Sequence, residues 1–501
     1  MDEPGAPPPS LHREQTRLIV LWGAALAAIT KVATILLSLV LARLIAPDMY
    51  GQYGAVSTIL LFVMSFSMQR FMENIFHKTP TVEDYHRHLA FGVLLHGLLF
   101  LAVNLVAVAM YFDETLSKIT LYLHVGSLSI LINVPRILYA THLRVMLQWK
   151  KIRSLTVMSF VLYAPVSIIL AAQGYGVWAL LAQNLLVPIP YAVAFLVSDR
   201  RLLGLNFDWG AYRGAFRFGL VRSGGAAVGT AYGALESLIF ALTIDFGTLG
   251  LFNRAKGLSQ LATSWLSDQI GSILYPSLAA LAARADAARR TAGLLLRVNL
   301  WTSGTVAIAV AAVPQASVFV LYGDGWGGVA ELVRPVLMAA IAGSMLTTCS
   351  LVLLTNMGPR HSITLDITAV AVNALGLFLI AHGGVLVYSV YLGVANFVLI
   401  AATLVYMVRM TLLDPRDVVL ALLPPGLGGV LALAAARLPG FDQAEATWPI
   451  PVLLGTATAC TLTVLALARL LDPRGLATIL GLLPAGALLR RALLLRPGSS
   501  S

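Results

Sequence analysis

Charge is what this sequence has least of. Asp, Glu, Lys and Arg make up 11% of its 501 residues, whereas apolar residues make up 58%. A soluble domain of this length has too little interior to hide so much apolar surface, so a water-soluble globular protein is excluded. Cysteine is nearly absent as well. Cys349 and Cys460 fall in separate apolar runs, which excludes a disulfide framework or thiolate metal site and leaves inert packing as their role. No GxxxxGK[ST] phosphate loop occurs, so the chain is not its own ATPase, and neither HExxH nor a metal-spaced Cys/His set is present. The Gly323-Asp324-Gly325-Trp326 turn lacks the further carboxylates of a calcium loop. His86 and His88, one residue apart in a loop, read as solvated surface. No metal and no cofactor is expected. Long hydrophilic loops are missing too. Membrane polymerases and ligases need a sizeable loop to carry catalytic acids, Arg or His, so an enzyme of that kind is disfavoured.

Apolar runs long enough to cross a bilayer, roughly 20 residues each, fill the chain instead. Fourteen are expected, at 18–44, 51–69, 89–111, 119–141, 155–172, 176–198, 218–244, 251–276, 292–321, 329–355, 362–381, 385–408, 418–438 and 448–468. The fold class is therefore an all-α membrane protein. Basic residues orient it, because Lys and Arg gather in cytoplasmic loops. With the N-terminus inside, the outer loops hold only Arg43, Lys118, Arg254, Lys256 and Arg437 of the 34 basic residues. Both termini are thus expected in the cytoplasm. The net charge of +11 follows from this bias and is no sign of nucleic-acid binding.

The runs divide as six, six and two. Residues 1–17, with Pro7, Pro8 and Pro9, read as a disordered cytoplasmic N-terminus, and the first apolar run is too long for a signal-peptide core. An N-lobe of six helices is expected over 18–198, a cytoplasmic linker over 199–217 and a C-lobe of six helices over 218–411. Two further helices follow over 412–470, then a cytoplasmic or interfacial tail over 471–501 with Arg490, Arg491 and Arg496 at the headgroups. The turn Pro47–Tyr53 between helices 1 and 2 parallels the turn Phe246–Phe252 between helices 7 and 8. Gly51 matches Gly250, with an aromatic two residues later in each. Six helices separate the copies, which implies a parallel repeat, two lobes in pseudo-twofold arrangement about the membrane normal. Gly225, Gly229 and Gly233 share one face of helix 7 and permit either close packing within a lobe or a sliding surface.

Ionisable side chains at membrane depth are costly and face a protein interior or a wet cavity. Lys31 lies mid-span with Thr34 and Ser38 on its face; Arg136 follows Asn133 and Ser129 on one face; Arg222 opens helix 7; Arg297 lies early in helix 9; Arg334 follows Glu331 by three residues. Snorkelling or local pairing is the alternative for each of the arginines. Glu236, Asp268 and Asp366 are the acidic counterparts inside spans. The cationic surplus points to an anionic ligand, since Arg and Lys bind phosphate through charge-assisted hydrogen bonds. The acids are candidates for carrying coupling protons or sodium, or for neutralising basic neighbours.

Several segments carry a family resemblance. Leu41-Ala42-Arg43-Leu44-Ile45-Ala46-Pro47-Asp48-Met49-Tyr50-Gly51-Gln52-Tyr53 resembles the helix 1–2 signature of bacterial polysaccharide flippases. Leu249-Gly250-Leu251-Phe252-Asn253-Arg254-Ala255 is similar to their segment after helix 7, and Ile273-Leu274-Tyr275-Pro276-Ser277-Leu278 to their helix 8 close. Tyr322–Trp326 followed by Leu332-Val333-Arg334 resembles the start of their helix 10. The match is better to the lipid-linked oligosaccharide branch of the multidrug/oligosaccharidyl-lipid/polysaccharide exporter superfamily than to its drug-exporting branch. Glu236 departs from the more frequent Asp but keeps the charge.

The resemblance implies a non-enzymatic flippase of the bacterial inner membrane. It would pass undecaprenyl-pyrophosphate-linked oligosaccharide repeat units to the outer leaflet by alternating access, for exopolysaccharide, O-antigen or capsule synthesis. A monomer is expected, working beside a polysaccharide polymerase and export machinery. Lys31, Arg136, Arg222 and Arg297 are then expected to contact the anionic headgroup. Arg43, Arg254 and Arg334 are gate or motif residues, and Glu236, Asp268 and Asp366 are ion-coupling candidates. A drug/cation antiporter on the same fold, a lipid II flippase, and a membrane polymerase or ligase are the rival readings.

Overall fold

The computed structural model describes residues 13–77, 80–263 and 285–481. Asp268, the Ile273–Leu278 segment and the basic tail lie outside the described residues, as do Gly225 and the side chain of Arg222. Helix is the only regular structure among the described residues. Chain contacts divide the molecule into two units, Met1–Leu242 and Thr243–Ser501. Eleven helical stretches among the described residues are long and apolar enough to cross a membrane. The other three expected spans, 18–44, 218–244 and 251–276, coincide with helices that do not meet that measure over their described lengths.

The first unit holds α1 (Arg13–Leu44), α2 (Pro47–Met64), α3 (Met68–Met72), α4 (Val82–Met110), α5 (Ser117–Val145), α6 (Trp149–Ala172), α7 (Gly176–Leu186), α8 (Ile189–Ser198) and α9 (Trp209–Thr243). Two of its expected spans are broken helices. α2 and α3 are separated at Ser65–Ser67, and α7 and α8 at Val187–Pro188, where proline removes a backbone donor. α4 starts at a capping box, with Thr81 and Asp84 bonding reciprocally. A core of Met68, Met72, Tyr85, Leu138, Tyr139, Tyr191 and Phe195 packs these helices together. The linker expected over 199–217 is partly helical. α9 begins at Trp209 and seats Tyr212 and Phe216 against Phe71 and Phe91. That aromatic contact helps bind α9 to the first unit, so the division by contacts falls after helix 7 rather than before it.

The second unit holds α10 (Phe246–Thr263), α11 (Ala285–Ala312), α12 (Pro314–Tyr322), α13 (Gly327–Met357), α14 (Pro359–Ile380), α15 (Val385–Arg409), α16 (Pro415–Ala435), α17 (Phe441–Thr447), α18 (Pro449–Leu471) and α19 (Pro473–Gly481). The two helices expected as an appendage, α16 and α18, pack closely on α11. Trp301 Nε1 donates to the Leu420 carbonyl at 3.0 Å, and Gly304 lets Pro425 approach. Glu445, buried on α17, accepts from the Ala316 N–H at 2.7 Å and so caps the start of α12 from another helix.

The matched segments at Pro47 and Phe246 are not turns. Each is the first turn of a helix, α2 and α10, with Gly51 and Gly250 buried inside it. Proline at the first helical position and an aspartate cap explain why. Asp245 accepts from the Thr248 N–H at 2.7 Å, the N-cap arrangement. The glycine face of α9 also differs from close packing: a Cβ at Gly229 or Gly233 meets nothing within 4 Å among the described residues.

Candidate functional site

A cavity of about 330 Å³ lies inside the first unit, at the meeting of α2, α5 and the α7–α8 break. Arg136, Asn133 and Ser129 contribute from α5, Tyr53 and Ser57 from α2, and Gln183 and Asn184 from α7. Leu60, Leu61, Met64, Val187 and Pro188 complete the wall. Spacing on α5 explains the first group, since residues three and four apart share a helical face. The others are brought in by the break in the sixth span, because α7 ends just after two adjacent amides. Interrupted helices are a recurrent way of building a transporter site at membrane depth.

Arg136 is the only charged side chain among the lining residues. It sits nine residues before Val145, ~13 Å from that end of α5 at 1.5 Å per residue. Its Nη1 donates to Asn133 Oδ1 at 2.8 Å, and the guanidinium lies 5.9 Å over the Tyr191 ring. Tyr191 is itself fixed, its hydroxyl bonding Thr156 and the Ile152 carbonyl. Arg136 Nε is buried with no acceptor, and no carboxylate among the described residues reaches the guanidinium. Partial burial without a counter-charge among the described residues is costly and leaves this guanidinium with donor capacity to spare.

Both helix breaks beside the cavity are sealed by side chains. Ser159 of α6 donates to the Val187 carbonyl at 2.8 Å. His96, fully buried on α4, takes the Met68 N–H on Nε2 at 3.1 Å and meets the Ile130 carbonyl with Nδ1 at 2.6 Å. The Met68 N–H fixes Nε2 as an acceptor, so Nδ1 carries the proton. Freed backbone groups inside a bilayer require such partners.

The other sequence-derived candidates are scattered. Lys31 is exposed on α1, with no carboxylate partner among the described residues. Glu236 is buried on α9 and accepts from the Tyr232 hydroxyl at 2.9 Å. Asp366 is exposed on α14. Its expected polar face is used within the unit, Ser362 bonding Ser350 and Asn373 bonding Asn396. Arg297 is held by two carboxylates, Asp417 at 3.2 Å and Asp472 in a close ion pair, which join α11 to α16 and to the end of α18. Arg254 lies over both Tyr322 and Trp326, at 5.3 and 5.6 Å, so two of the family-like segments meet through one cation. Arg334 donates to the Ala311 carbonyl at 3.0 Å, near the end of α11, rather than to Glu331. Arg43 is exposed in the last turn of α1. Ser57, Gln183 and Asn184 were not singled out from sequence, and Tyr53 was noted only as part of the helix 1–2 signature. The signal for Gln183 and Asn184 was a pair of amides just ahead of Pro188 and Pro190.

Residues 40–331, more than half of the chain, match the family described as polysaccharide biosynthesis protein. The chain belongs to that family. No curated protein matches it significantly. Among solved structures it is similar in fold to the lipid II flippase MurJ in an inward closed conformation. The TM-score is 0.70 at 9% identity, covering 95% of this chain and 100% of that one.

Proposed function

We propose that this member of the polysaccharide biosynthesis family is a flippase, not an enzyme. It moves undecaprenyl-pyrophosphate-linked oligosaccharide repeat units from the cytoplasmic to the periplasmic leaflet of the bacterial inner membrane, by alternating access, with both termini in the cytoplasm. The observation that carries this reading is Arg136: a cation within a membrane-spanning helix, lining a cavity with amides and hydroxyls between broken helices, with no carboxylate among the described residues to balance it. A cation exporter has no use for such a group, and like charge would repel its cargo. Lys31, Arg136 and Arg222 are assigned to the pyrophosphate-sugar headgroup as a whole, without dividing them between its phosphates and its sugars. Arg297 is left out, because its two carboxylate partners account for its charge. Glu236, Asp268 and Asp366 are assigned to ion coupling.

The test is leaflet-resolved. In a deletion strain, lipid-linked repeat units accumulate on the cytoplasmic leaflet and surface polysaccharide is lost. Wild-type protein restores export, and Arg136→Ala at equal protein level does not. Normal export from the deletion strain, or repeat units stranded on the outer leaflet, overturns the proposal. The fold likeness to a lipid II flippase favours one second reading, flipping of a peptidoglycan precursor. Arrest of cell-wall synthesis on depletion would select it.

A further inference from the structure

Resting on the flippase reading, we infer that the Arg136 cavity is a subsite for one sugar ring of the repeat unit that bears a single carboxylate, and not the pyrophosphate site. Three observations converge. The cavity, about 330 Å³, is at the small end of ligand pockets, which run from ~300 to 1,000 Å³. That leaves room for a pyranose ring and its substituents. Among the described residues its polar lining is neutral apart from Arg136. Gln183 and Asn184 offer amides, and the hydroxyl oxygens of Ser57 and Ser129, whose protons go to the Gly54 and Gly126 carbonyls, can still accept. Amides both give and accept hydrogen bonds, which suits the alternating donors and acceptors of a sugar ring. Leu60, Met64 and Pro188 supply apolar surface for its C–H face.

The third observation is charge balance. The guanidinium is one positive charge, with Nη1 committed to Asn133, Nε unpaired and the ring of Tyr191 covering one face. A carboxylate neutralises one charge and fits the guanidinium fork. A pyrophosphate diester brings two negative charges into a cavity with a single cation and leaves one uncompensated at bilayer depth. A neutral ring leaves Arg136 itself uncompensated. The singly charged sugar is the occupant for which the account closes.

The experiment is ligand-observed saturation-transfer NMR on the purified full chain, with methyl glucuronoside, methyl glucoside and inorganic pyrophosphate as probes. The expected result is glucuronoside binding tighter than glucoside by about tenfold, the worth of one charge-assisted contact. Arg136→Gln removes that preference, and Arg136→Lys keeps part of it. Asn184→Asp places a carboxylate in the same cavity and abolishes glucuronoside binding, which guards against a folding defect peculiar to position 136. Equal binding of the two glycosides, no binding of either, or a preference that survives Arg136→Gln overturns the inference. Displacement of the glucuronoside by pyrophosphate in wild type but not in Arg136→Gln gives the site to phosphate and also overturns it. None of these results touches the leaflet assay, so the flippase reading stands or falls separately.

Discussion

Replacing Arg297 by Met separates two uses of a membrane-embedded cation. In this structure its guanidinium sits between Asp417 and Asp472, and the three side chains are only 13%, 17% and 12% exposed. Removing it leaves two nearly buried carboxylates with their shared counter-charge gone. Breaking one buried ion pair costs about 3–5 kcal/mol. In a unit of this size each kcal/mol lowers Tm by roughly 2–4 °C, so Arg297→Met is expected to melt ~10 °C or more below wild type. The triple variant Arg297→Met, Asp417→Asn, Asp472→Asn carries no stranded charge and recovers much of the loss. The assay is fluorescence-monitored unfolding of the purified protein, paired with surface polysaccharide measured per unit of folded protein. Arg297→Met with an unchanged Tm and abolished export refutes the bracing argument and returns Arg297 to the cargo path.

His96→Ala leaves the Met68 N–H and the Ile130 carbonyl without their buried partner, at ~1–3 kcal/mol for each group; unfolding curves check it, and a wild-type midpoint refutes it. Gly219→Ala is destabilising, because its Cβ would lie 2.2 Å from the Phe71 ring and 2.8 Å from the Phe71 backbone. Gly229→Ala is expected to be neutral or up to ~1 kcal/mol stabilising, since its Cβ meets open space and alanine favours helix. If Gly229→Ala folds well but blocks export, the open glycine face of α9 closes in another conformation. Glu236→Gln keeps an acceptor for Tyr232 and removes the charge. Transport is expected to fall at constant protein level and to lose its dependence on the ion gradient; unchanged gradient dependence removes Glu236 from coupling.

Composition alone made the all-helical membrane class legible, because apolar residues at this density have no other home. Run length placed eleven of the expected spans on helices long and apolar enough to cross a membrane. What sequence did not reveal is where runs break. Ser65–Ser67 carries no proline, and the acceptor for the Met68 N–H at the α2–α3 break is His96, 28 positions further along, which no local pattern exposes. The α7–α8 break was signalled by Pro188 and Pro190, but its meaning, a cavity wall, needed the third dimension. Charge patterning found Arg136 with its Asn133 and Ser129 face. It could not tell Arg136 from Arg297, because Asp417 and Asp472 lie 120 and 175 residues further along the chain. The Arg254 aromatic cage was hidden for the same reason: its parts lie in two motifs, at 254 and at 322–326, that read as separate signatures.

The contrast between these two arginines shows how the first unit can carry a polar cavity without losing its helices. Discontinuous helices at bilayer depth release backbone dipoles that attract or repel any passing headgroup. Here the nearest breaks are closed by neutral groups, Ser159 on the Val187 carbonyl and His96 on the Met68 N–H. The walls therefore contribute shape and hydrogen bonds, and among the described lining residues the charge rests on Arg136. A substitution at Arg136 thus alters what the cavity accepts while leaving the helix breaks sealed, whereas a substitution at Arg297 dismantles a brace. Charge at membrane depth is diagnostic of cargo only after the protein's own carboxylates have been assigned. Among the described residues that criterion sets Arg297 aside, and it leaves Arg136 as the cation on which the proposed headgroup contact rests.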